Sequence, residues 1–406
     1  LGDQVWFVAL GWAASQAGST SQTSLIMTCA SVPRAALLLF GGALADRLGA
    51  LKQALISQSL RVAIMVAGTV AVLAWGADNV WLLITVAGTF GAVDAMHMPA
   101  AAALPPHLLP HDALPAGQGA VQTLQRVASV IGAPLGGAIV AIGDLQTATA
   151  VNAALFALAL ALLWKLPTTQ AHTTAGPALP QPTAPAEGTV RATWSGLRYV
   201  ATDPVLGPIL LTVTMLNLVL TAPLNLGTAL LAAQRGWGAA GFSWTIATFA
   251  AGAVAGAAWT AGRSRRPETP AAAGLRWVAA GSVFLAAIAA APNLPTACAA
   301  AACLGVTTGP AGALLLGFVQ IRTDPEFIGR VMALVTFSAI GLAPVSFALF
   351  GTLTDAAGVR GAFTWSAAAL ATTTALAYTS RRIRTAAIHP QPTPTNSPPK
   401  NASPAA

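Results

Sequence analysis

Asp3, Arg34, Arg61, Asp94 and Arg126 are charged side chains set inside long apolar runs. An isolated charge at the centre of a bilayer costs about 2.5–3.5 kcal/mol on insertion scales, so such groups pair with one another or line water. Two carboxylates among three guanidiniums suit proton chemistry: a carboxylate gains and loses a proton while an arginine competes for it. Asp3 or Asp94 is the expected protonatable group, and Arg34, Arg61 or Arg126 its competitor. The same five residues would also serve as a permanent ion-pair cluster tying helices together. Three arginines against two acids favour the ionised carboxylates. Proton uptake then requires an arriving substrate to draw an arginine away.

Two further groups have a physical use. FGGALADRLGALKQ, residues 40–53, puts Asp46, Arg47 and Lys52 among glycines and alanines. Gly41 and Gly42 remove side chains where a helix must lie close to a neighbour. Asp46 can accept backbone N–H bonds, and Arg47 can reach a carboxylate across an interface. Asp94 is a candidate partner for Arg47; a plain positively charged turn is the alternative. GAPLGG, residues 132–137, sets Gly132, Gly136 and Gly137 around Pro134. The proline removes a helix N–H and bends the span, while the glycines permit close packing and pivoting. Pro344 is the expected matching bend, and an ordinary small-residue seam is the alternative. His97, His107 and His111 have no spacing for a metal site and read as surface histidines. No G-x-x-x-x-G-K-[ST] motif occurs, so neither a nucleotide motor nor any cofactor or metal is expected.

The elements that must position these residues follow from composition. The chain has 406 residues, 55% hydrophobic and 8% charged, with mean hydropathy +0.68. Soluble domains carry roughly 25% charged residues, too many more for this chain to be one. The apolar runs are about 20 residues long rather than alternating ten-residue strands, so an all-α membrane protein is expected. Twelve spans are read, at 1–17, 23–42, 53–75, 80–103, 118–142, 146–166, 205–232, 240–261, 271–291, 294–320, 329–351 and 360–380. The chain begins at Leu1 rather than Met, and its first helix is expected to be truncated. At about 1.5 Å per residue, Arg34 lies roughly 18 Å above Asp46, Arg61 and Arg126 roughly 12 Å into their spans, and Asp94 roughly 14 Å from its span's end. Asp3 falls roughly 21 Å from the far surface of a core about 30 Å thick, so all five charges share one layer.

Charge and repetition organise the spans. The net charge of +8 forms no stripe on a soluble face, which argues against a nucleic-acid partner and for membrane orientation. With the Asp46 turn in the cytoplasm, the basic residues of the loops and tail share its side, and Arg235 and Arg360 alone lie opposite. Both termini are then cytoplasmic. IGAPLGGAIVAIGD (131–144) is repeated in IGLAPVSFALFGTLTD (340–355); Pro134 and Pro344 stand 210 residues apart, and Asp144 and Asp355 211. Four units follow: a six-helix bundle over 1–166, a cytoplasmic linker with an amphipathic segment over 167–203, a second bundle over 204–380, and a disordered cytoplasmic tail over 381–406. Cys29, Cys298 and Cys303 lie in apolar runs without metal or disulfide spacing and read as small core-packing residues.

These motifs carry a resemblance. GGALADRLGALKQ resembles the loop signature of the major facilitator superfamily, G-x-x-x-D-R-x-G-R-[KR]. Gly42, Asp46, Arg47 and Gly49 match; Ala50 and Leu51 replace the basic pair, and Lys52 alone is basic. GAPLGG is similar to the antiporter signature G-P-x-x-G-G, with Ala133 at its proline and Pro134 following. LGDQVWFVALGW, FGAVDAMHMPAAAALPPHLLP, QIRTDPEFIGRVMAL and GLAPVSFALFGTLTDAAGVRGAF are similar to the macrolide-efflux and enterobactin-exporter branch of drug:proton antiporters. The resemblance implies two six-helix halves related by a pseudo-twofold axis. It also implies export rather than uptake, and an acid of the first span facing the cavity. It further implies a cytoplasmic latch at Gly42, Asp46, Arg47, Gly49 and Lys52, weakened here by the lost basic pair.

The chain is therefore expected to be a secondary active efflux transporter in a bacterial cytoplasmic membrane. It would export a small hydrophobic or amphiphilic molecule by proton antiport, as a monomer in lipid, from a site between its halves. An importer or facilitator of the same fold and a non-transporting scaffold or sensor are the alternatives. The fold does not determine the substrate.

Overall fold

Hydrocarbon offers no partner to a free peptide group, so a chain this apolar must satisfy its backbone within helices. In the computed structural model the backbone is described for residues 1–108, 114–165, 189–262, 269–324 and 326–385, and side chains for all of these except 38–47, 106–108, 114–116, 118, 119, 122, 126, 129 and 189–194. The helices are α1 (Gly2–Gln16), α2 (Thr20–Leu48), α3 (Ala50–Trp75), α4 (Val80–Leu108), α5 (Leu114–Trp164), α6 (Thr189–Thr202) and α7 (Leu206–Ala222). A π-turn (Pro223–Gly227) joins α7 to α8 (Thr228–Gln234); α9 (Gly238–Ala261), α10 (Pro270–Ala290) and α11 (Leu294–Arg322) follow. A second π-turn (Phe337–Gly341) follows α12 (Ile328–Thr336) and leads to α13 (Ala343–Thr379) and α14 (Arg381–Arg384).

Among the described residues seven helices are long and apolar enough to cross a bilayer, and eight if the bent pair α12–α13 is one span. Two long helices are each interrupted once. α5 leaves helical geometry at Gly143 and Asp144, and α13 at Gly358 (φ 70°, ψ 170°). Divided there, the described helices are consistent with the twelve expected spans. Several limits differ from the sequence reading: α4 runs on to Leu108 and α5 begins at Leu114. α13 stays helical past residue 351 until Gly358, the first residue there that takes a positive φ without strain. Likewise α2 continues through 48 and α3 begins at 50, so the expected hairpin of 42–53 shrinks to Gly49 (φ 84°, ψ 139°).

The two halves pack alike. α2 lies on α4 as α9 lies on α11; α3 meets α4 and α5 as α10 meets α11 and α13; α1 meets α5 as α7 meets α13. Between halves, α5 meets α9 and α2 meets α13, the reciprocal pairing a pseudo-twofold axis requires. Lipid tails are as apolar as leucine, so close packing rather than burial holds such helices. α9 and α11 show it: Gly252 and Gly256 rest on the carbonyls of Ala302 and Val306, and Gly305 and Gly309 on those of Phe249 and Ala253. A Cβ at any of the four would overlap backbone. Cys29 and Cys298 are half-buried, but Cys303 is exposed, because the packing face of α11 passes through its neighbours Ala301 and Leu304.

The halves touch through two glycine seats at the end opposite Gly49. Gly137 of α5 receives Ser243 of α9, and Gly351 of α13 receives Ser24 of α2. Ser24 Oγ donates to the carbonyl of Phe347 at 2.8 Å, and Ser21 Oγ to Asp355 Oδ2 at 3.0 Å. At the Gly49 end, α6 is docked on the start of α12. Tyr199 stacks on Phe327 with centroids 4.4 Å apart and planes 5° from parallel. Its hydroxyl donates to Asp324 Oδ2 at 3.1 Å, and Arg330 Nη1 donates to Ser195 Oγ at 2.9 Å.

Candidate functional site

α3 turns one polar stripe inward. Gln53, Ser57, Gln58 and Arg61 recur at helical spacing and are all buried. Gln53 Nε2 donates to the carbonyl of Met96 at 2.7 Å, and Gln58 Nε2 to that of Phe156 at 2.9 Å, tying α3 to α4 and α5. Ser57 Oγ lies 3.0 Å from His97 Nδ1. His97 is therefore half-buried against α3 rather than on the surface, because its place on α4 faces that stripe; His107 and His111 lie outside the described side chains.

Arg61 ends the stripe and gathers the expected charges. Its Nη2 bonds Asp94 Oδ1 at 2.8 Å and also contacts Asp3 Oδ1. Asp94 Oδ2 faces Arg34 Nε at 3.0 Å. The guanidinium lies 4.5 Å from the Phe156 ring centre and 5.2 Å from that of Phe90, whose π faces favour a desolvated cation. Asp3, Arg34, Arg61 and Asp94 thus form one chain of ion pairs joining α1, α2, α3 and α4. The side chains of Arg126 and Arg47 lie outside the described residues, and the described partners of Asp94 are Arg61 and Arg34.

A cavity of about 310 Å³ opens beside this cluster, between the halves. Its N-terminal walls are Gln4, Phe7 and Leu10 of α1, Met27, Ser31 and Arg34 of α2, and Phe90 of α4. The stripe Met27–Ala30–Ser31–Arg34 repeats at three and four residues, the period that puts one helix face on the cavity. The opposite wall comes from both π-turns, through Asn225 on one and Ala339 and Ile340 on the other, with Phe347 of α13. A π-turn widens the helix and recurs at functional sites. Arg34 lines the cavity; Asp3, Arg61 and Asp94 stand behind the wall. From α1, Gln4 and Phe7 line the cavity, while Asp3, its side chain 43% exposed, contacts Arg61.

The remaining motif residues divide. Gly132 and Gly136 seat α1, against Gln4, Val5 and Val8, whereas Gly137 seats Ser243 of the other half. Pro134 lies inside α5, where the backbone stays helical as far as Gly143. Pro344 stands in the first turn of α13, next to a bend of 41° after Gly341. Gly49 makes the turn into α3, and Lys52 follows in its first turn; the side chains of Asp46 and Arg47, and the surroundings of Gly42, lie outside the described residues. Sequence reasoning missed the aromatic cavity wall, both π-turns and the docking of α6. The helical stripes on α2 and α3 were the available signals.

Comparison with known proteins fits this geometry. The profile of the Major Facilitator Superfamily matches residues 1–348. The chain is 29% identical over 383 residues to the multidrug efflux pump Tap of Mycobacterium tuberculosis and of Mycobacterium bovis, covering 89% of this chain and 86% of each relative. Its fold is similar to a bacterial homologue of the iron transporter ferroportin in an inward-facing state, with TM-score 0.68, 14% identity and 93% of both chains covered. It is also similar to a bacterial homologue of the human lysosomal transporter Spinster, inward-facing and unoccupied, with TM-score 0.67 and 13% identity over 94% of this chain and 96% of that one. The chain belongs to the major facilitator superfamily.

Proposed function

We propose that this member of the major facilitator superfamily is a secondary active exporter of a small hydrophobic or amphiphilic molecule, driven by proton entry. The observation that carries the reading is the position of Arg34, which forms part of the cavity wall and also holds the buried carboxylate of Asp94. A substrate in the cavity and a proton on Asp94 both act on the Arg34–Asp94 pair, so occupancy by one alters what the other meets. Substrate and proton thus bias the same two-state equilibrium. The multidrug efflux pump Tap supports export as the direction.

In this reading the bundles 1–166 and 204–380 rock about the cavity, with 167–203 as linker and 381–406 as tail. The Gly49 end and both termini face the cytoplasm of a bacterial cell, and the chain works as a monomer. The seats at Gly137 and Gly351 close the outer end, while Gly42, Asp46, Arg47, Gly49 and Lys52 latch the inner end in the opposite state. A latch of a few polar bonds is released by a few kcal/mol of ligand binding.

Dye accumulation in cells with and without the protein tests this reading. Lower accumulation that an uncoupler abolishes is the expected result; higher accumulation marks an importer, and no change a scaffold. The pH dependence of transport in Asp3→Asn and Asp94→Asn tests the coupling. Full proton-driven transport in both variants removes the proposed proton site.

A further inference from the structure

We infer that the cavity selects organic anions: aromatic amphiphiles whose carboxylate, phenolate or similar oxyanion is held by Arg34. This rests on the exporter reading above and names its substrate class.

Among the described residues Arg34 is the one charged group on the cavity wall, and no acid reaches that wall. Two acids stand nearby: Asp94 is 2% exposed and turns its two oxygens to Arg61 and Arg34, and Asp3, its side chain 43% exposed, contacts Arg61. A cation entering here meets a positive charge on the wall, and both nearby carboxylates are already in contact with a guanidinium. Arg34 Nε forms an ion pair with Asp94 Oδ2 at 3.0 Å without hydrogen-bond geometry, while its Nη2 points at the thioether sulfur of Met98, 3.2 Å away and a weak acceptor. A guanidinium binds a pair of oxygens far better than a sulfur. Its side chain is 23% exposed, so the approach is open. The Phe7 ring lies 5.1 Å from the Arg34 Cζ, and Trp6, Phe90 and Phe347 complete an aromatic lining suited to a flat ring system.

The charge also explains why a neutral substrate is a poor fit. Arg34 is already paired with a carboxylate. A neutral acceptor cannot replace that ion, but an oxyanion can share or take the guanidinium.

Two xanthene dyes of one ring system, anionic fluorescein and cationic rhodamine 123, separate the outcomes by fluorescence polarisation on the purified protein in lipid nanodiscs. Fluorescein should bind about tenfold more tightly, the factor expected of one charge-assisted hydrogen bond. Arg34→Gln should remove that advantage. Because Arg34 also holds Asp94, a second variant leaves the cluster intact. Asn225→Asp, whose side chain bonds Thr221 O on the opposite wall, should weaken fluorescein and strengthen rhodamine 123. Equal or tighter binding of rhodamine 123 by the unmodified protein, binding of neither dye, or no shift in Asn225→Asp overturns the inference. Binding needs no energised membrane, so failure here is distinct from failure of the exporter reading, which is judged by uncoupler-sensitive accumulation.

Discussion

Arg61 of α3 and Asp94 of α4 meet at 2.8 Å with each side chain 3% exposed. Through this buried pair the more exposed Asp3 and Arg34 also join, so four helices of the N-terminal half share one electrostatic joint. Desolvating such charges costs several kcal/mol each, and mutual pairing recovers that cost only while the set is intact.

Breaking the set from one side is therefore expected to be severe. Arg61→Met and Asp94→Leu should each destabilise the protein by about 3–5 kcal/mol, and the double variant by less than the sum, since no unpaired charge then remains between α3 and α4. Melting temperature in detergent measures this. Strictly additive losses would show that the two side chains are not coupled.

Ser21 and Asp355 are bonded across the halves at 3.0 Å. Ser21→Cys combined with Asp355→Cys should cross-link under a short thiol-specific reagent, and the cross-linked protein should stop transporting. Transport that continues at full rate after quantitative cross-linking would mean that this end does not open during the cycle.

A side chain at Gly351 would overlap Ser24. Gly351→Val should hold the halves apart there and speed modification of a Ser24→Cys thiol by a membrane-impermeant maleimide several-fold. An unchanged modification rate would show that the seat does not hold the end closed.

Asp203 caps α7, accepting the N–H groups of Val205 at 2.7 Å and Leu206 at 2.9 Å, and pairs with Arg322 at 3.2 Å. Burial pushes its carboxyl up, but the N–H groups of Leu206 and Val205 and the Arg322 guanidinium outweigh it, holding the group below its ordinary 3.8. A carboxyl lowered by folding contributes stability above its unfolded pKa and loses it as the pH falls through the folded value. Asp203→Asn should therefore melt at a lower temperature than the unmodified protein at neutral pH, and the gap should close below about pH 4. A gap that persists unchanged at pH 3 would assign the effect to packing.

Much of the frame was legible because membrane insertion constrains sequence directly. Runs of about 20 apolar residues mark spans wherever they occur. The recurrence of Pro134 and Asp144 as Pro344 and Asp355 suggested two halves, but in the structure the matching seats, Gly137 and Gly351, and the matching breaks, Gly143 and Gly358, lie about one helical turn further along. Counting helical rise brought Asp3, Arg34, Arg61 and Asp94 to one depth, because depth depends on distance along a helix alone. Rotation about the helix axis was not legible. Asp3 and Gln4 differ by one residue, yet Asp3 faces Arg61 and Gln4 the cavity. The end of α2 was misread for a related reason: charges in 42–48 suggest a loop, but Asp and Arg are tolerated in the last turn of a helix that emerges into water.

The amino-acid sequence by itself determined a helical membrane chain with an internal repeat, and the layer in which its buried charges lie. Those properties follow from transfer free energy and helix geometry, which act residue by residue. Only the tertiary structure decided that Arg34 faces the cavity while Arg61 and Asp94 are sealed behind Phe90, and that Gly137 and Gly351 seat serines of the opposite half. Which face of a helix turns inward is set by the close packing of several helices at once, and no single helix carries that information.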